Sequence, residues 1–267
     1  MADLNPLSWW RRFWAQPNDS RAKTFAVAFL VAAVSAAAVT LTAVSLKPLQ
    51  TANAERERSE RMAEMLASVP GLNDILGDVD ASSVETRIVD LASGTYAEDV
   101  DPATFDATAV AADPERSNAL APEADIAGIG RRPNLAPVHL VRRDGELLLV
   151  VLPVYGTGYQ STIRAYLALE SDLNTIAAIS IYEHGETPGL GSRITDPAWQ
   201  AQWAGKRVAD ETGEIRIAVV RGAAGEFEVD GVTGATRSSN GVSNLVRFWL
   251  GENGFGPFLA NLRDGKV

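Results

Sequence analysis

The run Asp230-Gly231-Val232-Thr233-Gly234-Ala235-Thr236-Arg237-Ser238 sets free hydroxyls among small residues directly ahead of an apolar helical stripe. Val242, Leu245, Val246, Trp249 and Leu250 follow at i, i+3, i+4, i+7 and i+8, one face of an α-helix. Ser238, Ser239 and Asn240 are N-cap residues by type, and Gly251 is a stop. A helix start offers unpaired N–H groups and a partial positive charge, which suit a phosphate. Thr236 would place a hydroxyl beside that phosphate. Thr233, Gly234, Ala235 and Ser238 are small enough for the phosphate to lie against backbone. The same residues also make an ordinary capped turn, and alone they do not separate the two readings.

A second constellation is Glu183-His184-Gly185-Glu186-Thr187-Pro188-Gly189-Leu190-Gly191. Gly189 and Gly191 flank Leu190, which lets backbone approach a flat ligand closely. Pro188 stiffens the loop, Glu186 and Thr187 supply polar groups, and Leu190 an apolar contact. A plain surface turn has the same composition. A metal site from Glu183, His184 and Glu186 is disfavoured because adjacent residues rarely converge on one ion.

The elements that must position these residues begin with a membrane span. Residues 24–46 hold no charge over 23 positions. As a helix they cover about 34 Å, against a hydrocarbon core of roughly 30 Å. A signal peptide has a shorter apolar region, so an uncleaved anchor is expected. Trp9, Trp10, Phe13 and Trp14, with Arg11 and Arg12 between them, suit a headgroup belt. The cations nearest the span favour a cytoplasmic segment 1–23. Lys47, Arg56, Arg58 and Arg61 beyond it alternate with Glu55, Glu57, Glu60 and Glu64 in an ion-paired helical run. Residues 47–137 then read as a membrane-proximal helix over 50–68, stopped at Pro70-Gly71, and an irregular acidic region over 92–137.

From Val138 onward the texture is that of strands. Val138–Arg142 and Glu146–Tyr155 flank an Asp144-Gly145 turn, and Ser161–Glu170 and Thr175–Tyr182 follow. Pro197–Ala204 reads as a short helix with Trp199 and Trp203 on one side. Ile215–Val220 and Glu226–Val229 are further strands. The expected class is α+β: one N-terminal transmembrane helix, then a mixed, largely antiparallel sheet domain over 138–267 with flanking helices.

Composition narrows the function. The chain of 267 residues has no cysteine and two histidines, His139 and His184, which removes thiolate metal sites, iron–sulfur ligation and thiol-linked flavin. A net charge of −10 argues against nucleic acid as a partner. Residues 1–23 carry +2, which leaves −12 for the remainder. A G-x-G-x-x-G dinucleotide fingerprint is absent.

Together the two motifs resemble the NqrC subunits of the bacterial sodium-translocating NADH:quinone reductases. The resemblance runs from the anchor through Tyr155–Gln160, Tyr182–Gly191, Asp196–Trp203 and Asp230–Thr236 to Trp249-Leu250-Gly251 and Gly254-Phe255-Gly256-Pro257-Phe258. It is weakest over 92–137. It implies FMN held by a phosphoester bond on the last threonine of the hydroxyl-Gly-Ala-Thr pattern, here Thr236, and attached by a dedicated flavin transferase. It further implies an electron relay to ubiquinone within a sodium-exporting complex of the inner membrane, with the N-terminus cytoplasmic and the FMN domain periplasmic. NADH would then bind another subunit, no general acid or base is needed, and one uncharged span cannot form a sodium path alone.

By that resemblance Thr233, Gly234, Ala235 and Ser238 cradle the phosphate, and Glu186, Thr187, Gly189, Leu190 and Gly191 hold the ring or ribityl chain. Asp230 belongs to the transferase recognition pattern, or is simply a turn residue. Arg237 pairs with the phosphate or is a solvated charge. Two rivals remain: the equivalent flavin subunit of the related ferredoxin:NAD ion pump, and a membrane-anchored binding or assembly module without redox role.

Overall fold

Near-continuous apolar runs and one two-residue turn build the centre of the sheet. In the computed structural model, which describes residues 15, 17, 20–68 and 84–267, β5 (Leu135–Arg143) and β6 (Glu146–Thr157) form a hairpin in which Arg143 faces Glu146. Asp144 and Gly145 both take positive φ, 52° and 87°, as the two-residue turn matching strand twist requires. With β1 (Val84–Asp90), β2 (Thr95–Tyr96), β7 (Thr162–Glu170) and β8 (Ile176–Glu183) they make a six-stranded antiparallel sheet in the order β2-β1-β5-β6-β7-β8. The four strands expected from the sequence are present, and β1 and β2 extend the sheet upstream of residue 138.

Chain contacts divide the molecule at Glu57/Arg58. In the first unit lies most of α1 (Arg21–Ser68), a continuous helix of 48 residues. Its stretch Lys23–Gln50 is long and apolar enough to cross a membrane. Side chains such as Phe25 and Phe29 are exposed, as lipid-facing residues are. Thr42 and Ser45 donate their hydroxyls to the carbonyls of Ala38 and Thr42, at 2.8 and 3.0 Å, so neither needs water at that depth. Pro48 sits inside the helix near the end of the apolar stretch. The aromatic belt at residues 9–14 and the Pro70-Gly71 stop fall outside the described residues.

The region 92–137 is not irregular. It carries β2, a 3₁₀ turn at Pro102–Thr104, α2 (Ala107–Ala112), β3 (Ser117–Ala119), β4 (Arg131–Pro133) and the first part of β5. Its acidic residues are the reason. Asp101 caps the 3₁₀ turn through the Ala103 N–H, and Asp106 caps α2 through those of Thr108 and Ala109. Asp113 accepts from Glu115 and Asp125 from Ile129 and Gly130. Aspartate that accepts from the next few N–H groups fixes turns, whereas in bulk composition it reads as disorder.

Over the sheet lies α4 (Thr236–Leu250), after the short α3 (Pro197–Gln200) and the two-stranded pair β9 (Ala218–Val220) and β10 (Glu228–Asp230). The expected stripe is the buried face: Val242, Leu245, Val246 and Trp249 are at most 1% exposed. Gly156 on β6 permits the approach, since a Cβ there would stand 2.8 Å from Leu245 Cβ. Trp249 Nε1 donates to the Tyr155 carbonyl at 2.7 Å, and the two rings lie 4.9 Å apart. β9 and β10 are shorter than expected and pair in parallel. Trp199 and Trp203 are buried edge to face. A final helix, α5 (Gly256–Arg263), closes the chain with Phe258 in the core.

Candidate functional site

The two motifs meet. A cleft of about 250 Å³ is lined by Thr187, Leu190 and Gly191 from the loop after β8, by Gly234, Ala235, Thr236, Arg237 and Ser238 at the start of α4, and by Tyr159. Leu190 and Tyr159 are each 52% exposed and form its rim.

α4 begins earlier than its side chains suggest. Its N-cap is Ala235, with no side-chain cap bond, in place of Ser238, Ser239 or Asn240. The serines are engaged elsewhere: Ser239 accepts from the Val232 N–H at 2.9 Å, and Ser238 donates to Glu186 Oε2. Thr236 is therefore the first helical residue, exposed, with its hydroxyl on the turn whose N–H groups lack helical acceptors. Gly234 holds φ at +83°, the left-handed region that a side chain resists. The Ala235 N–H closes a turn onto the Val232 carbonyl at 3.0 Å. An exposed hydroxyl, orphan donors and a neighbouring guanidinium are a fit for a phosphate ester.

Glu186 does not line the cleft. It is 4% exposed; Oε1 accepts from the N–H groups of Tyr159 and Gln160 at 2.9 and 3.1 Å, and Oε2 from the Ser238 hydroxyl. One carboxyl group thus ties together the loop after β8, the turn between β6 and β7, and the first turn of α4. Glycines clear the space for it. A Cβ on Gly158 would overlap Oε1, and one on Gly191 would lie 2.6 Å from Ser238 Oγ and 2.9 Å from Oε2. Gly191 therefore serves loop-to-helix packing as well as lining the cleft. Gly189 takes φ +73° beside open space and does not line the cleft, nor does Thr233. Tyr159 stands there from neither motif, with the Arg237 guanidinium over its ring, 5.4 Å from the centroid. Tyr159 is a lone aromatic in the short link between two strands, a position that periodicity does not mark.

Asp230 is held by the turn. Its carboxylate accepts from Gly222 at 2.7 Å, its carbonyl from Trp199 Nε1 at 2.8 Å, and its N–H donates to Gln202 at 3.1 Å. Among the described residues, Glu183, His184 and Glu186 form no metal-binding group; Glu183 instead pairs with Arg164 at 3.5 Å. On the strand entering the site, burial pushes the Tyr155 hydroxyl up to about 12, so it stays protonated.

Comparison with known proteins fits this arrangement. The family model described as an FMN-binding domain matches residues 158–251, the stretch from the Tyr159 turn to the end of α4. The NqrC subunit of the Na(+)-translocating NADH-quinone reductase of Vibrio alginolyticus is 41% identical over 256 residues, covering 95% of this chain and 99% of that one. Its namesake in Pseudomonas aeruginosa is 42% identical over 260 residues, covering 94% and 99%. The crystal structure of Shewanella oneidensis NqrC superposes with a TM-score of 0.69 at 36% identity, over 79% of this chain and 99% of that one. The corresponding subunit from Parabacteroides distasonis, at 24% identity and a TM-score of 0.56 over 78% of this chain and 95% of that one, shares the fold.

Proposed function

The chain belongs to the NqrC family, the flavin-domain subunits of the Na(+)-translocating NADH-quinone reductases, and from that premise we propose that it carries FMN covalently on Thr236 as a membrane-anchored electron relay. The observation that carries this reading is the cleft itself: an exposed threonine hydroxyl on the first turn of α4, faced by the Thr187–Gly191 loop. The rival pump that exchanges electrons with ferredoxin gains no support from relatives that match nearly end to end under the quinone reductase name.

When bound, the flavin supplies the one-electron chemistry, and the protein supplies attachment, orientation and electrostatics. A flavin transferase would move an FMN phosphoryl group from an activated donor to the Thr236 oxygen, the hydroxyl proton and the donor's leaving group departing. The N–H groups of the first turn would receive the phosphate, and Arg237 would balance its charge. Thr187 offers a hydroxyl along the cleft, and Leu190 and Tyr159 would supply apolar contact to the ring. Gly234 and Ala235 keep the approach open to the transferase, and Asp230 holds the turn that presents it. Glu186 and Gly191 act through packing, by keeping loop and helix together. Thr233 and Gly189 shape the chain on either side without touching the cleft. With segment 1–23 cytoplasmic, residues 24–46 would carry the FMN domain, residues 138–267 with the upstream strands, to the periplasm of a bacterial inner membrane, where the other subunits meet it.

In-gel fluorescence after denaturing electrophoresis tests the assignment, with the wild-type chain and Thr236→Ala each co-expressed with a flavin transferase. A fluorescent wild-type band that is lost in the variant is the expected result. A fluorescent variant moves the attachment to Thr233 or Ser238. A dark wild-type band removes the covalent carrier and favours the assembly module.

A further inference from the structure

A groove of about 750 Å³, against about 250 Å³ for the flavin cleft, lies at the other end of α4. Leu250, Gly251 and Glu252 line it where that helix stops, about 21 Å along the axis from Thr236. Its floor is apolar, with Leu173, Val208, Ile215, Leu250 and Leu259. One wall is fixed by Asn174. Its Nδ2 donates to the Ala209 carbonyl at 3.0 Å, and its Oδ1 accepts from the Ala209 N–H at 2.8 Å. This clamps the turn between β7 and β8 onto the segment that follows Val208. In the same turn Leu173 holds φ at +59°, a conformation that a bulky side chain resists, and is 6% exposed. The groove is therefore shaped before anything enters it.

Its rim is acidic. Asp172, Asp210, Glu211 and Glu252 line it against one cation, Arg263. Asp172 and Asp210 also hold their own turns, accepting from the N–H groups of Asn174 and Thr212 at 2.9 Å each, and Asp210 faces Arg216 at 3.8 Å. Glu211 and Glu252 are exposed, with no ion pair among the described residues. The negative end of the α4 dipole adds to their field.

We propose that this groove docks a cationic amphipathic segment of another subunit of the reductase complex. Charge complementarity selects that occupant. Apolar side chains of the segment cover the floor, while its lysines and arginines reach Glu211 and Glu252 and lay their stems over the edge. A second copy of a chain of net −10 meets this rim with like charge, and so does an anionic lipid surface. The inference rests on membership of the complex and stands whether or not Thr236 carries flavin. A partner seated here leaves the flavin cleft open.

The whole complex is purified with Ala260, exposed on the α5 side of the groove, replaced by the photo-crosslinker p-benzoylphenylalanine. Irradiation and mass spectrometry of the joined peptides then identify the occupant. Expected is one net-cationic, amphipathic segment of another subunit. In the same background, Glu211→Lys with Glu252→Lys lowers the crosslink yield at least about fivefold, as for reversal of two rim charges. Glu115→Lys with Glu123→Lys, an equal charge change at exposed sites outside the groove, leaves the yield unchanged. Glu211→Gln with Glu252→Gln, which introduces no new cation, gives a smaller fall of the same sign. A crosslink to an anionic or uncharged segment, to a second copy or to lipid overturns the proposal, and so does the lack of any crosslink. Equal losses in the two lysine pairs overturn it as well, by leaving net charge as the sole cause, and so does a glutamine pair that crosslinks like wild type.

Discussion

Replacing Glu186 separates a strut from a ligand. Its two oxygens accept from two backbone N–H groups and one hydroxyl, and Glu186 itself is not among the residues lining the cleft. In Glu186→Ala all three donors lose their acceptor. Tyr159 and Gln160 are exposed, so their N–H groups regain water and cost about 1–2 kcal/mol together. Ser238 is 2% exposed and stays unsatisfied, at about 1–3 kcal/mol. The emptied volume adds about 1 kcal/mol and brings the sum to about 3–6 kcal/mol. At about 2–4 °C per kcal/mol for a domain of this size, the melting temperature falls by roughly 6–24 °C. Glu186→Gln keeps a carbonyl oxygen for both N–H groups and turns an amide donor towards Ser238 Oγ, so it costs about 1 kcal/mol. Differential scanning calorimetry of the full chain in detergent reads both values, and gel fluorescence reads flavin loading. If Glu186 touched only the flavin, both variants would melt with the wild type; an alanine variant within about 2 °C of wild type refutes the strut, as does a glutamine variant melting as low as alanine.

The two glycines of the same loop behave differently. Gly191→Ala drives a methyl to 2.6 Å from Ser238 Oγ, and a loss of about 2–4 kcal/mol with reduced flavin loading is expected. Gly189→Ala meets open space and bears only the cost of its φ of +73°, about 1–2 kcal/mol, with loading unchanged; equal melting of the two variants contradicts this. His139 sets an acid limit. Burial pushes it from 6.5 down to about 4, while Nδ1 sits 2.9 Å from Thr86 Oγ1 and the Tyr166 ring meets it edge on. The unfolded chain binds the proton first as pH falls, so this contribution is complete above about 6.5 and is lost on the way to about 4, up to about 3 kcal/mol. Urea unfolding at pH 7 and pH 4.5 should show a smaller drop for His139→Gln than for wild type, and parallel losses would count against it.

The fold is legible where one pattern governs one element. Short apolar runs mark β5 to β8, the Asp144-Gly145 pair marks the hairpin of β5 and β6, and the i, i+3, i+4 stripe marks the buried face of α4. The start of α4 is not legible, because serine is an N-cap by type, yet Ser238 and Ser239 sit inside the helix and bond to Glu186 and Val232. Those partners lie 52 and 7 residues away, beyond any local rule. Glu186 misleads for the same reason: a polar residue in a functional loop looks like a ligand until its long-range donors are seen. Over 92–137, composition outweighs position, and capping aspartates pass for an unfolded acidic tract. Tyr159 leaves no periodic signal at all.

The threonine proposed to hold the flavin is the first residue of the most deeply embedded helix. Ten of the fifteen residues of α4 are buried, from Ser238 to Leu250. A cofactor mounted on a loop wanders with the loop; one mounted here is fixed to the end of a rod clamped along its length. A flavin held there would swing on the phosphoester and ribityl bonds of its own linkage, but from an anchor that does not move. Any travel of that anchor between electron donor and acceptor would therefore belong to the domain as a whole.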